Sequence, residues 1–199
     1  MALIWVAAAG ALLMLAARWE RAARWERAAA ALRAAAVLAA CLGGTTLPDI
    51  DLRLPFGHRS ALTHSLLPVL IALARPRWWP VAAGLALGVG LHLGADAFPN
   101  AMRGYALVKV PLAGALSPGV SWLWLGSQAL GGLGLGTWLV LARLPRGWAA
   151  AVLAACAALG VAYWFVTDGG WPPLAIAGAA SGCVGWMRAR RRDAPPSGR

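Results

Sequence analysis

At 199 residues and a formal net charge of +11, the chain has the length of one domain and is strongly basic. Its hydrophobic fraction of 60% and mean hydropathy of +0.65 exclude an ordinary soluble globule of this size. The basic residues lie between apolar runs and at the C-terminus, not along one face, so membrane orientation and anionic headgroups explain them better than nucleic acid does.

The first apolar run, Ala2 to Ala17, lacks a basic segment before it and reads as a short spanning helix, not a signal peptide. An exact tandem repeat follows, A-R-W-E-R-A at Ala17–Ala22 and Ala23–Ala28, whose six-residue period matches no helical face and suits an interfacial helix or turn. A second span is expected over Ala28–Leu42, closed by Gly43 and Gly44. The stretch Pro48–Ser65 then crowds Asp49, Asp51, Arg53, His58, Arg59 and His64 into a chain that is only 13% charged. A third helix is expected from about Ser60, acting as N-cap, to Ala74, with a kink at Pro68. The fourth span, Val81–Phe98, carries His92 and Asp96 near its end. Pro99–Gly119 reads as an interfacial or re-entrant piece covering the polar groups. A fifth span covers Ser121–Ala142, a sixth Trp148–Val166 and a seventh Pro172–Met187.

The resulting fold class is all-α, a polytopic membrane helix bundle of about seven spans. Residues 1–187 form one integral membrane domain with its motif-bearing core at about 35–111, and 188–199 form a basic, disordered tail. The 24 glycines suit close helix packing in a bilayer, and the 12 tryptophans suit its interfaces. Cys41, Cys156 and Cys183 have no C-x-x-C spacing and read as small buried apolar residues. With alternating spans, the arginines around the repeat, Arg75, Arg77, Arg143, Arg146 and the tail fall on one side, and Arg53, Arg59, Arg103 and Lys109 on the other. The positive-inside rule then sets the N-terminus out and the C-terminus in, with the polar loop and His92/Asp96 facing outward together.

His92 and Asp96, four residues apart, share one helix face. Ionisable groups in a span suggest function by default, although a structural His–Asp hydrogen bond is the competing explanation. Asp49 and Asp51 form a D-x-D pair that repels unless a cation or basic group intervenes; turn formation with Arg53 or Arg59 as counter-ion is the alternative. Together with His58 and His64 the set points to a metal site. Mixed Asp/His ligation suits zinc first, with Mn, Fe or Mg as alternatives, and there are ligands enough for one or two ions. Arg53 and Arg59 would hold an anionic group such as phosphate. Thr63 and Ser65 serve as substrate contacts or caps.

P-D-I-D at 48–51, H-R-S-A-L-T-H-S at 58–65 and H-L-G-A-D at 92–96, with Gly104 and Pro111 after them, resemble the YdjM-like family of membrane-bound metal-dependent hydrolases. The resemblance covers about Ala35 to Pro111. It implies Asp49, Asp51, His58, His64, His92 and Asp96 as metal-site residues with Arg59 beside them. It further implies Asp51, His64 and Arg59 as the catalytic group, and a bacterial inner-membrane hydrolase using a metal-activated water. The chain departs from the family in its extra N-terminal span with the Arg-Trp-Glu repeat, and in lacking an early histidine. The expected substrate is a lipid or amphipathic ester or phosphoester, and the expected partners are the bilayer and that substrate, not nucleic acid. Two rival readings stand beside it. One is a metal-free type-2 phosphatidic acid phosphatase, echoed by Phe56-Gly57-His58 and His92/Asp96 but missing that family's upstream basic motif. The other is a non-enzymatic adaptor or transporter with a structural polar cluster.

Overall fold

The computed structural model describes residues 2–19, 26–53, 58–97 and 102–168, and most of them are helical. The α-helices are α1 (Ala2–Trp19), α2 (Glu26–Gly44), α3 (Leu67–Leu73), α4 (Trp79–Asp96), α5 (Pro118–Arg143) and α6 (Arg146–Asp168). Their ends follow local chemistry. Gly43 and Gly44 close α2, and Pro80 sits in the first turn of α4, where a missing N–H costs nothing. Ser117 caps α5 by accepting from the Val120 N–H at 3.4 Å, with Pro118 at the first helical position.

Four helical stretches among the described residues are long and apolar enough to cross a membrane: Glu26–Gly44, Pro76–Asp96, Pro118–Arg143 and Arg146–Thr167. This corrects the expectation of seven. Helix α1 offers only the shorter apolar stretch Ile4–Leu15. The seventh expected span, Pro172–Met187, lies outside the described residues, as do Cys183, the tail and most of the tandem repeat.

Helix α4 is the centre of the bundle: 94% of its span is buried, against 33% for α5 and 28% for α6. A helix apolar on every side has to be surrounded, and small residues let its neighbours approach. A Cβ on Gly84 or Gly88 would run into the α2 backbone at Val37 or Cys41, and one on Gly44 would lie 2.9 Å from the Gly88 Cα. On another side, Gly132 and Gly136 of α5 sit against the carbonyls of Ala86 and Ala83, and Gly160 of α6 sits against Leu91. These register points make α2, α4 and α6 parallel and α5 antiparallel to them.

Because α2 and α4 run the same way, the chain between them must return through the bundle. The expected helix from Ser60 does not form there; α3 is seven residues long and starts at Leu67. Pro68 lies in its first turn, so it starts the helix instead of kinking it. Ser60 caps no helix: its carbonyl accepts from the His64 N–H at 2.8 Å and its Oγ from the Leu62 N–H at 3.4 Å, a single turn that is not continued, while its own N–H donates to Asp51 Oδ2 at 2.9 Å. Residues 60–66 are turns and bends, and such backbone is tolerated at membrane depth only where protein groups satisfy it. Helix α5 does so: the Trp124 indole N–H donates to the His64 carbonyl at 2.8 Å, and Gln128 Oε1 accepts from the Leu66 N–H at 3.0 Å. Trp124→Phe leaves a buried carbonyl without its donor and is expected to lower stability by about 1–3 kcal/mol, measurable by thermal unfolding in detergent.

The segment before α5 folds over the same end of the bundle. Lys109–Val110 (β1) pairs antiparallel with Gly114–Ala115 (β2), and Lys109 also bridges to Ser60. Lys109 Nζ donates to the carbonyls of His58 at 2.7 Å and Tyr105 at 3.0 Å, fastening this cover to the polar stretch. Burial lowers the Lys109 pKa and Asp51 opposes the fall, leaving it below the usual lysine value.

Candidate metal centre

The six residues expected as metal ligands, Asp49, Asp51, His58, His64, His92 and Asp96, meet at the C-terminal ends of α2 and α4. Asp49 and Asp51 stand on a 3-10 turn, Pro48–Arg53, that follows α2 directly. His58 and His64 come from the non-helical return, and His92 and Asp96 from the last turns of α4. The outward edge of the cluster is formed by Asp49, whose side chain is 40% exposed, and His58 at 24%; His64 is fully buried.

Each buried histidine is held by its Nδ1, leaving Nε2 directed into the cluster. His92 Nδ1 lies 2.9 Å from the Thr45 carbonyl and 2.8 Å from the Tyr163 hydroxyl. A carbonyl can only accept, so Nδ1 carries the proton and Nε2 the lone pair. His64 Nδ1 lies 3.1 Å from Asp51 Oδ2, which also accepts from the Thr63 hydroxyl at 2.9 Å. This is the arrangement metal-binding histidines adopt, with the second ring nitrogen fixed by a carbonyl or carboxylate.

The inward-facing atoms crowd together. Asp96 Oδ2 lies 3.2 Å from His64 Nε2 and 3.4 Å from His92 Nε2, and Asp49 Oδ1 lies 3.7 Å from His92 Nε2. Asp51 Oδ1 lies 3.6 Å from His58 Nδ1. Yet these contacts do not have hydrogen-bond geometry. Among the described residues seven buried side-chain polar atoms lack a hydrogen-bond partner, and all but Trp78 Nε1 belong to this cluster. They are Asp51 Oδ1, His58 Nδ1, Arg59 Nε, His64 Nε2, His92 Nε2 and Asp96 Oδ2. Orphaned buried polar atoms are costly, and five of these are ligand-type atoms that a cation could satisfy together. Two groupings could hold a metal ion: Asp49, His64 and His92, and Asp49, Asp51 and His58, the ligand atoms of each lying within 4.8 Å of one another.

The electrostatics agree with the geometry. Burial raises the Asp51 pKa, but the hydrogen bonds from His64, the Ser60 N–H and Thr63 outweigh it and bring it down to about 2. For His64, burial disfavours the charged ring, while the carboxylates of Asp51 and Asp96 more than offset this and raise its pKa. A proton and any divalent cation held there would therefore compete for the same nitrogen.

Arg59 does not face open solvent as an anion holder would. Its guanidinium donates to Asp96 Oδ1 at 2.8 Å and to the Ala106 carbonyl at 2.7 Å, and Met102 Sδ stands 3.9 Å away. Its backbone has φ of +59°, a left-handed conformation that costs a non-glycine residue about 1 kcal/mol or more. That turn lets the Arg59 carbonyl accept from Lys109 while the next N–H reaches Asp51. Arg59 is thus a buried clamp on Asp96, and Arg53 is the exposed arginine of the pair. Phe56 and Gly57 lie outside the described residues.

Sequence reasoning missed two contributors, Thr45 and Tyr163. Thr45 acts through its backbone carbonyl, which no side-chain pattern reveals. Tyr163 is one of only two tyrosines and lies 71 residues from His92, so its hydroxyl in an apolar span was the one available signal. Tyr163→Phe is expected to weaken metal binding about 10–100-fold with the helices intact, as measured by chelator competition.

No family model, curated protein or solved structure matches the chain.

Proposed function

We propose that the protein is a membrane-embedded, metal-dependent hydrolase of an ester or phosphoester in a lipid or other amphipathic substrate. The observation that carries the metal reading is the convergence of unpartnered ring nitrogens and carboxylate oxygens at one end of the bundle. His64 and His92, with Asp49 and Asp96, would hold one ion; Asp49, Asp51 and His58 would hold a second, with Asp49 shared. Imidazole and carboxylate donors without thiolate favour zinc, with Mn, Fe or Mg as alternatives. When bound, such an ion supplies Lewis acidity toward a carbonyl or phosphoryl oxygen and lowers the pKa of water. Around it Asp51, the Thr45 carbonyl and Tyr163 orient the imidazoles, and Arg59 fixes Asp96. The exposed Arg53 gives the mouth positive charge for an anionic head.

The hydrolytic step rests on the resemblance to the YdjM-like family. Arg33, Arg143 and Arg146 gather at the opposite end from the centre, where α2 and α6 begin and α5 ends. By the positive-inside rule this supports a site facing the outer side of a bacterial inner membrane; the N-terminus is then out and the C-terminus in where α1 and Pro172–Met187 cross as well.

Elemental analysis of purified protein, paired with a screen of phosphodiester and carboxyl-ester substrates, tests the proposal. Stoichiometric divalent metal and metal-dependent turnover are expected, both lost in His64→Ala. Wild-type metal content in that variant would sink the assignment, and turnover by a metal-free preparation would favour a histidine-nucleophile phosphatase.

A further inference from the structure

Below the centre, α4, α5 and α6 line a half-open groove of about 310 Å³ walled by Leu91, Leu133, Thr137, Cys156, Gly160 and Trp164. Small-molecule sites are roughly 300–1,000 Å³ and predominantly apolar. Gly160 lets α6 approach the Leu91 side chain closely, closing one edge of the groove, and the neighbouring Ala157 adds only a methyl group to its wall. The Trp164 indole N–H is taken by the Leu91 carbonyl at 3.0 Å, so the ring serves as an apolar wall.

Two features identify what lies in it. All three walls belong to helices long and apolar enough to cross a bilayer, where hydrocarbon is the abundant species that fills such a space without stranding polar groups. On two of its helices its upper end also lies one residue from groups of the candidate metal centre. Leu91 precedes His92, and Trp164 follows Tyr163, whose hydroxyl stands 2.8 Å from His92 Nδ1. From Trp164 the wall runs down α6 to Leu153, a length of about 16 Å at 1.5 Å per residue.

We infer that this groove holds the hydrocarbon chain of the substrate, so that the substrate is a chain-bearing amphiphile whose head, not its tail, lies at the Asp/His cluster. The inference rests on the hydrolase reading above.

The test uses the full chain, zinc-loaded, in phosphatidylcholine nanodiscs. A long-chain alkyl phosphodiester carrying a mid-chain diazirine is photolysed, cross-linked peptides are mapped, and zinc is measured in parallel. Labelling is expected at Leu133–Thr137 and Cys156–Trp164, competed by unlabelled phosphodiester. It should fall by about tenfold or more on chelation and in Ala157→Trp or Thr137→Phe, with zinc content unchanged in both variants. Equal labelling by a diazirine alkane, which carries no ester head, without competition by the phosphodiester, would assign the groove to bulk hydrocarbon and overturn the inference. Absence of label in the groove despite bound zinc and turnover also overturns it while leaving the hydrolase reading intact. Absence of both zinc and turnover defeats the hydrolase reading, and the inference with it.

Discussion

Replacing His92 with alanine is expected to empty the Asp/His cluster of metal while the helices stay assembled. His92 is the one imidazole held from two helices, through the Thr45 carbonyl at the end of α2 and the Tyr163 hydroxyl on α6. Its Nε2 lies within 3.4 Å of Asp96 Oδ2 and 3.7 Å of Asp49 Oδ1, so it sits where the α4 and Asp49 ligand atoms meet. Losing an outer partner of a metal-binding histidine typically costs 10–100-fold in affinity, so losing the ligand itself should cost more than about 100-fold. The bare site would retain three carboxylates against the Arg59 guanidinium and neighbouring Lys109. For the same reason, chelation of the wild-type protein should lower its thermal midpoint by mass action. Chelator-competition titration with circular dichroism as a fold control decides it. Affinity within a few-fold of wild type would remove His92 from the centre.

Gly88→Leu should have the largest effect on assembly. Its position faces the Cys41 carbonyl and the Gly44 Cα, backbone atoms that cannot rotate away as a side chain would. Separating α2 from α4 would also pull the Thr45 carbonyl from His92, so packing and centre should fail together. The cost is expected at or above the top of the ~1–3 kcal/mol range of ordinary overpacking. Gly134→Leu is the control, because a Cβ there meets nothing within 4 Å. Size-exclusion and thermal-unfolding measurements should show Gly134→Leu near wild type and Gly88→Leu poorly folded or absent. Similar behaviour of the two variants would refute the idea that backbone contact at Gly88 sets the α2–α4 spacing.

These two sites mark what could be read in the sequence. Four long apolar helices were legible because hydropathy reports burial from water directly, and Glu26–Gly44 and Pro118–Arg143 differ from expectation only at their ends. The cluster was legible because Asp49, His58, His64, His92 and Asp96 stand out against an apolar chain and a four-residue spacing fixes a helix face. The third span was not. Its residues are apolar enough for a helix, but Pro68 has no N–H to offer the His64 carbonyl, which takes the Trp124 indole N–H from 60 residues away instead. Hydropathy does not register which backbone groups are already engaged. Arg59 was misread for a related reason: its exposed-looking position between polar residues hid a buried clamp on Asp96, 37 residues away.

The unwound stretch around His64 also bears on the order of biosynthesis. Leu66 and its acceptor Gln128 are 62 residues apart, and His64 and Trp124 are 60 apart. At roughly 5–20 residues per second of synthesis, the stretch waits some 3–12 s for α5 to emerge. During that interval its N–H and C=O groups have no α5 partner and cannot settle in lipid. The His64 limb of the centre therefore waits for α5, and the His92 limb waits longer, for the Tyr163 hydroxyl that α6 brings. A ribosome-bound chain stopped before α5 would carry all six ligand-type side chains but neither Trp124 nor Tyr163 to position His64 and His92.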